Sequence, residues 1–327
     1  MGGGDAVPSP ARPGLDTQPG EALDGLAAPP WPHQPLVEWQ VLGLCNYDCS
    51  YCIQARKHRV GVPTEARIDQ ALAFLADLPG VWEVKTTGGE PFAFRGFLER
   101  VVPGVMATRH DLSTLTNLSP PVPTLQRFAA LTHGRLRVVS ASLHLEFTAV
   151  GAFLDRLDAL RAAVAPSTRL VVNAVLVPDK LAEVAAAAAE VQARGHRFFP
   201  QLMKVKGGVF AYSPAQMAQV VGIVGDFEVA AAARSANLAP AYTGRRCWAG
   251  ARYLVLTKDG EAFSCRSARR AGEGQLGDLA HGISLHPGPK RCPYTICPCA
   301  PPANRGMIEG VAARLALHGG PDDQDAA

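Results

Sequence analysis

Along this chain, apolar runs that alternate with period two trade places with stretches whose apolar residues recur every three or four positions. Leu36–Leu44 (LVEWQVLGL) reads as a strand. Glu65–Leu78 reads as a helix with Ile68, Leu72, Leu75 and Ala76 on one face. Trp82–Thr87 is a second strand and runs into Gly88-Gly89-Glu90-Pro91. The alternation continues with helix Phe94–Val102, strand Asp111–Thr116, helix Pro123–Leu131, strand Leu136–Leu143 and helix Ala149–Val164. Strand Arg169–Val177, helix Leu181–Arg194, strand Arg197–Leu202 and helix Pro214–Ser235 complete it. Strands alternating with helices predict βαβ crossovers and a parallel sheet. Six such units suit an open barrel better than a flat doubly wound sheet, and periodicity alone leaves both open.

Period-two spacing also sorts side chains by face. Ser140, Ser142 and His144 share one face, as do Glu83, Lys85 and Thr87, and Glu38 and Gln40. A barrel filled for stability alone would carry Val, Ile and Leu inside, so these polar faces predict a lumen that holds a polar ligand. For Glu38 and Glu83, at the strand beginnings, simple surface exposure is an equal alternative.

The first strand delivers Cys45-Asn46-Tyr47-Asp48-Cys49-Ser50-Tyr51-Cys52 at its carboxyl end. Three cysteines in so compact a loop can turn three thiolates to one side, and thiolates are the ligands of iron–sulfur clusters. A four-iron cube held by three cysteines keeps one iron open to a small chelating molecule. The alternatives are a zinc loop or buried thiols. Structural zinc usually takes four ligands in two pairs, and no second pair lies nearby, His58 standing alone on a basic stretch.

With Cys45, Cys49 and Cys52 in C-x3-C-x2-C spacing and Gly88-Gly89-Glu90-Pro91 at the end of the second strand, the sequence resembles the radical S-adenosylmethionine (SAM) superfamily. That resemblance implies a partial (β/α)6 TIM-type barrel with its chemistry at the carboxyl ends of the strands. It also implies a [4Fe–4S] cluster on the three cysteines, chelated by SAM. One electron then cleaves SAM to a 5′-deoxyadenosyl radical, which abstracts hydrogen from a substrate C–H bond. Tyr51 would pack near the cluster. Gly88 and Gly89 would allow close backbone approach, and Glu90 would accept from the SAM ammonium. Alone, Gly-Gly-Glu-Pro would be a turn. Ser142 and Asn173 correspond to polar contacts to SAM, and Thr116-Asn117 to a strand-end pair found in relatives; capping or supporting roles are the alternatives. His144 departs from the Asp of many relatives, and faces substrate or is structural.

Five further cysteines lie near the far end: Cys247, Cys265, Cys292, Cys297 and Cys299. Arg252–Thr257 and Ala262–Cys265 alternate like a hairpin around Asp259-Gly260. The Cys247-to-Cys265 stretch is similar to the start of the SPASM/Twitch extension, which implies a small C-terminal cysteine-rich domain with an auxiliary cluster. A full SPASM extension uses typically seven cysteines, so the Twitch form, one [4Fe–4S] on four of these five at most, fits better; zinc is the rival. Arg245, Arg246, Arg266, Arg269 and Arg270 could hold an anionic substrate or dock an acidic electron donor such as a flavodoxin or ferredoxin. A solvated basic face is the plainer alternative.

Length and charge narrow the rest. The 327 residues suit a full-sized domain plus a smaller appendage. The predicted layout is a disordered lead-in at 1–35, the barrel at 36–240, the auxiliary domain at 241–303, a helix at 304–318 and a disordered tail at 319–327. A net charge of +3 without a basic stripe argues against nucleic acid. No apolar stretch is long enough to span a membrane, and eight cysteines without a secretory signal point to a reducing, cytoplasmic setting. The short Pro/Gly-rich front offers no leader-binding domain, which favours a small, carbohydrate-like substrate. Peptide or protein modification and a non-catalytic iron–sulfur scaffold are the alternatives.

Overall fold

A computed structural model describes residues 34–205, 208–224, 242–294, 297 and 301–310, all within the compact unit that begins at His33. The predicted lead-in up to residue 33, positions 225–235 of the predicted helix from Pro214, Cys299, and the chain after residue 310 lie outside the described residues.

Strands β1 (Leu36–Leu42), β2 (Glu83–Gly88), β3 (Asp111–Thr116), β4 (Leu136–Ser142), β5 (Arg169–Leu176) and β6 (Arg197–Leu202) lie side by side in chain order, all parallel. The connections carry α1 (Glu65–Asp77), α2 (Val102–Ala107), α3 (Val122–Leu131), α4 (Val150–Ala163) and α5 (Leu181–Ala193), and α6 (Pro214–Val224) follows β6. Strand order never reverses, as it would in a doubly wound sheet. The fold is a partial (β/α)6 barrel. Local chemistry sets the element ends. Thr64 caps α1 by accepting from the Arg67 N–H, and Pro123 is the second residue of α3, where its missing N–H has no helical partner to lose.

One face of the sheet packs on the helices. Val37, Trp39, Val41, Val84, Leu112, Val139, Ala141 and Val172 share a buried core with Ile68, Leu75, Leu125, Phe128, Phe153 and Leu157. The alternate positions, Glu38, Gln40, Ser140, Ser142, Asn173 and Gln201, therefore point to the opposite face.

The C-terminal chain grows onto the β1 edge of the same sheet. β7 (Tyr253–Leu256) pairs parallel with β1, Leu36 opposite Tyr253. β8 (Glu261–Phe263), β9 (Gln275–Asp278) and β10 (Gly282–Ile283) then add on antiparallel, with α7 (Arg266–Ala271) between β8 and β9.

Two expectations change. In place of a plain helix over Phe94–Val102, the chain makes a 3-10 turn at Pro91–Ala93 and a π-helical turn at Phe97–Val101 before α2. Pro103 has no N–H for the carbonyl one turn back, which favours the wider turn before it. The helix expected at 304–318 is absent over its described part: a short helix covers Pro301–Asn304, and Ile308 instead bridges Cys247. Gly306 and Gly310, at φ 62° and 69°, turn the chain out of helical geometry.

Candidate active site at the carboxyl ends of the strands

Leu42–Cys45 runs between two backbone segments. On one side, Gly43 and Leu44 both donate to the Gly61 carbonyl at 3.1 Å. On the other, Gly89 N donates to Leu42 O at 3.0 Å and Glu90 N to Leu44 O at 2.9 Å. The Gly-Gly-Glu-Pro stretch is thus laced directly to the base of the cysteine loop. The contact requires glycine: a Cβ on Gly89 would stand 1.9 Å from the Leu44 oxygen, and Gly88 sits at φ 137°.

Glu90 is buried and collects three donors: Phe92 N at 3.1 Å, Thr116 Oγ1 at 2.8 Å and Asn117 N at 2.6 Å. Burial pushes its carboxyl up to about 7, against the pull of those donors. A carboxylate accepts about four hydrogen bonds, so one place remains for an incoming ammonium. Thr116 and Asn117 consequently serve Glu90, and Asn117 Nδ2 also reaches Asn46 in the cysteine loop at 2.8 Å. That tie from β3 to the loop was not legible in sequence.

The three cysteines differ in exposure. Cys49 is buried, Cys45 intermediate and Cys52 exposed. Burial first, then the neighbouring Cys45 and Cys52, push the Cys49 thiol up to about 12. Arg59 braces the loop by pairing with Asp48 and donating to the Cys49 carbonyl. Three soft donors in one loop, with Cys45 and Cys49 both raised by burial and by their neighbours, fit a site completed by cationic iron. Among the described residues, no three His, Cys, Asp or Glu side chains converge on a single ion. A cube takes one thiolate per iron and needs no such convergence.

The chain after β4 grips the same loop. His144 Nδ1 lies 3.3 Å from Cys49 Sγ and 2.9 Å from the Tyr51 hydroxyl. Glu146 accepts from Ser50 N at 2.9 Å and Ser50 Oγ at 2.5 Å, and Phe147 stacks on Tyr47 with centroids 4.7 Å apart. Burial lowers the His144 imidazole to about 4, so it is neutral at ordinary pH. His144 is therefore built into the cysteine loop. The aromatic residues at 47, 51 and 147 were the available signal for this packing.

Ser142 and Asn173 come together on the face opposite the helices. Ser142 Oγ donates to Asn173 Oδ1 at 3.3 Å, and Gln201 Nε2 does so at 2.9 Å. Asn173 Nδ2 donates to Ser140 Oγ at 3.0 Å. Gln201 was missed in sequence, where it reads as one more polar residue of a short strand.

Glu38 and Glu83, at the strand beginnings, are neither exposed nor open to a ligand. Glu38 pairs with Arg266 and accepts from the Tyr253 hydroxyl at 2.9 Å. Glu83 pairs with Arg305 at 2.6 Å, both side chains 8% exposed. Arg269 donates to Gln40. Arg266 and Arg269 thus anchor the C-terminal chain to β1, which corrects the expectation of a free basic face there. Arg270 remains exposed.

Of the far cysteines, Cys247 and Cys297 pack on one small cluster with Tyr242, Ala303 and Ile308. Cys265 and Cys292 both lie near Tyr294, whose hydroxyl is raised to about 12 by burial and then by Cys265, Glu273 and Cys292. Cys299 lies outside the described residues.

No family model and no curated protein matches the sequence. Solved structures do. Native anSMEcpe with bound AdoMet and the Cp18Cys peptide matches with a TM-score of 0.54 at 13% identity, covering 76% of this chain and 79% of that one. Its complex with the Kp18Cys peptide matches with a TM-score of 0.54 at 14% identity, covering 76% and 78%. Histidine-tagged anSMEcpe with bound AdoMet matches with a TM-score of 0.52 at 13% identity, covering 76% and 78%. At such identity the similarity defines the fold alone, the partial barrel described above.

Proposed function

We propose that this chain is a radical SAM enzyme that acts on a substrate C–H bond at the mouth of the barrel. The observation that carries the proposal is the lacing of Gly88-Gly89-Glu90 to the base of the Cys45–Cys52 loop at the carboxyl ends of β1 and β2. Cys45, Cys49 and Cys52 would hold a [4Fe–4S] cluster, and Glu90 and Ser142 would be the polar groups offered to SAM, with Asn173, its amide engaged by Ser140, Ala141, Ser142 and Gln201, positioning Ser142. When bound, cluster and SAM supply reductive cleavage of SAM and hydrogen abstraction. The chain's own part is to hold the thiolates apart, to keep Glu90 buried beside the loop and to present a polar lumen.

Cys247, Cys265, Cys292 and Cys297 are the four described thiols for a Twitch-type auxiliary cluster. The electron would come from an acidic flavodoxin or ferredoxin. Arg56-Lys57-His58, exposed close after Cys52, is the basic stretch best suited to receive it. The hydrogen-bonded set Ser140, Ser142, Asn173 and Gln201 favours a small polar substrate, carbohydrate-like in its hydroxyls. A peptide substrate is the second reading, favoured by the peptide bound in the anSMEcpe structures of the same fold.

The test is anaerobic reconstitution with iron and sulfide, then dithionite and SAM, with 5′-deoxyadenosine as readout. A fully loaded protein that forms none is a scaffold and sinks the proposal. Candidate sugars and peptides deuterated at carbon then decide the substrate, because only the true one passes deuterium into 5′-deoxyadenosine. No helix of the described residues is long and apolar enough to cross a membrane.

A further inference from the structure

The imidazole of His144 is placed with more care than a space-filling role needs. Its Nδ1 faces two atoms at once, Cys49 Sγ at 3.3 Å and Tyr51 Oη at 2.9 Å. The ring is held from two sides, edge-on by Tyr47 with centroids 5.9 Å apart and face-on by Tyr51 at 5.9 Å. The strap that carries it is pinned through Glu146 to Ser50 and through Phe147 to Tyr47. His144 follows directly on β4, so the end of that strand and the loop's own Tyr47, Ser50 and Tyr51 together set the distance between nitrogen and sulfur.

We propose that His144 is a positioning residue for the front cluster, its Nδ1–H donating to the Cys49 sulfur and thereby setting how readily the cluster accepts an electron. The proposal rests on the reading that Cys49 is a cluster ligand. A metal-bound thiolate carries no proton, so a hydrogen on the Nδ1···Sγ contact must come from the imidazole. The other tautomer would turn a nitrogen lone pair toward a sulfur carrying negative charge, which is repulsive; with Nδ1 protonated, Tyr51 Oη accepts from the same N–H and turns its own hydrogen to the sulfur. Hydrogen bonds to cluster sulfurs favour the more negative, reduced state and raise the potential. His144 touches neither SAM nor substrate in this role, and acts only through Cys49.

Redox titration with dithionite and mediators, followed by electron paramagnetic resonance, tests this on the reconstituted full chain. The front signal is assigned by its loss in Cys49→Ser. His144→Phe keeps an aromatic ring but removes the donor. It is expected to make the one-electron reduction about tenfold less favourable, a fall of about 59 mV, with iron content unchanged. His144→Gln, which retains an N–H, recovers most of the shift. Should His144→Phe fail to fold, wild-type protein labelled with 15N-histidine decides. Coupling of the reduced cluster to one histidine nitrogen supports the hydrogen bond, and its absence overturns it. A full cluster in His144→Phe with unchanged potential overturns the proposal alone. Wild type that takes up no iron at Cys49 overturns the cluster reading, and this proposal with it.

Discussion

The two cysteine groups of this chain are built in opposite ways. The front loop is short in sequence and is held by groups from three other strands: Glu90 after β2, Asn117 after β3, and His144 with Glu146 after β4. The far group spans Cys247 to Cys297 and is held mainly by its own chain, through the Cys247–Ile308 bridge and the Cys292–Arg245 hydrogen bond. What ties its chain to the barrel is the β7–β1 pairing, backed by two charge contacts, Arg266 on Glu38 and Arg305 on Glu83. One site is therefore part of the barrel's packing, while the other is a module attached to the sheet edge.

The largest expected effect follows from that contrast. Cys45→Ser should abolish 5′-deoxyadenosine formation, because no other described thiol can reach its place in the loop. Cys247→Ser should lower iron content by about half and still cleave SAM, since nothing in the front site depends on Cys247. Iron counting together with product analysis checks both. Loss of SAM cleavage in Cys247→Ser would show that the two regions are not independent.

Next in size is the anchor itself. Removing one partner of a buried ion pair leaves an uncompensated charge, at a cost of about 3–5 kcal/mol. Arg305→Met should lose that much stability in denaturant unfolding of the apo-protein, because Glu83 stays buried. The double variant Glu83→Leu with Arg305→Met should regain most of it. If the single variant is as stable as wild type, the C-terminal chain is not anchored here.

The barrel was legible because its signal is local: each strand shows its own alternation, and β3 and β6 have the predicted ends. The front site was legible for the same reason, since its cysteines and glycines fall in two short stretches. The roles of Glu38, Glu83, Arg266 and Arg305 were not. Their partners lie more than two hundred residues away, and a glutamate at a strand start reads the same whether it meets water or arginine. The grip of His144 on Cys49 was hidden likewise, because it depends on how β4 aims its following turn.

A smaller effect separates the two sites by pH. The carboxyl of Glu90 is raised to about 7 chiefly by burial, so the folded chain holds that proton more tightly than the unfolded chain. Its contribution to apo-protein stability is complete below about 4.5 and is lost as pH rises to about 7, roughly 3 kcal/mol across the window. Glu90→Gln should flatten that slope in unfolding curves taken between pH 5 and 8. Arg305→Met should steepen it, because Glu83, left buried without its partner, is pushed up by the same desolvation. An equal slope in Glu90→Gln and wild type would mean that folding does not raise the Glu90 carboxyl.

The smallest effect sets two arginines of α7 against each other. Arg266 meets Glu38, which is 1% exposed and also accepts from the Tyr253 hydroxyl, so Arg266→Ala strands a buried carboxylate without its ion-pair partner. Arg269 meets the neutral Gln40 at an exposed position, where a single hydrogen bond contributes about 1 kcal/mol or less. Arg269→Ala should therefore shift the unfolding midpoint by no more than a few tenths of the Arg266→Ala shift, although the two residues stand three apart on one helix. Equal losses would mean that the helix is held as a charged patch; unequal losses would show that its anchoring is specific to Glu38.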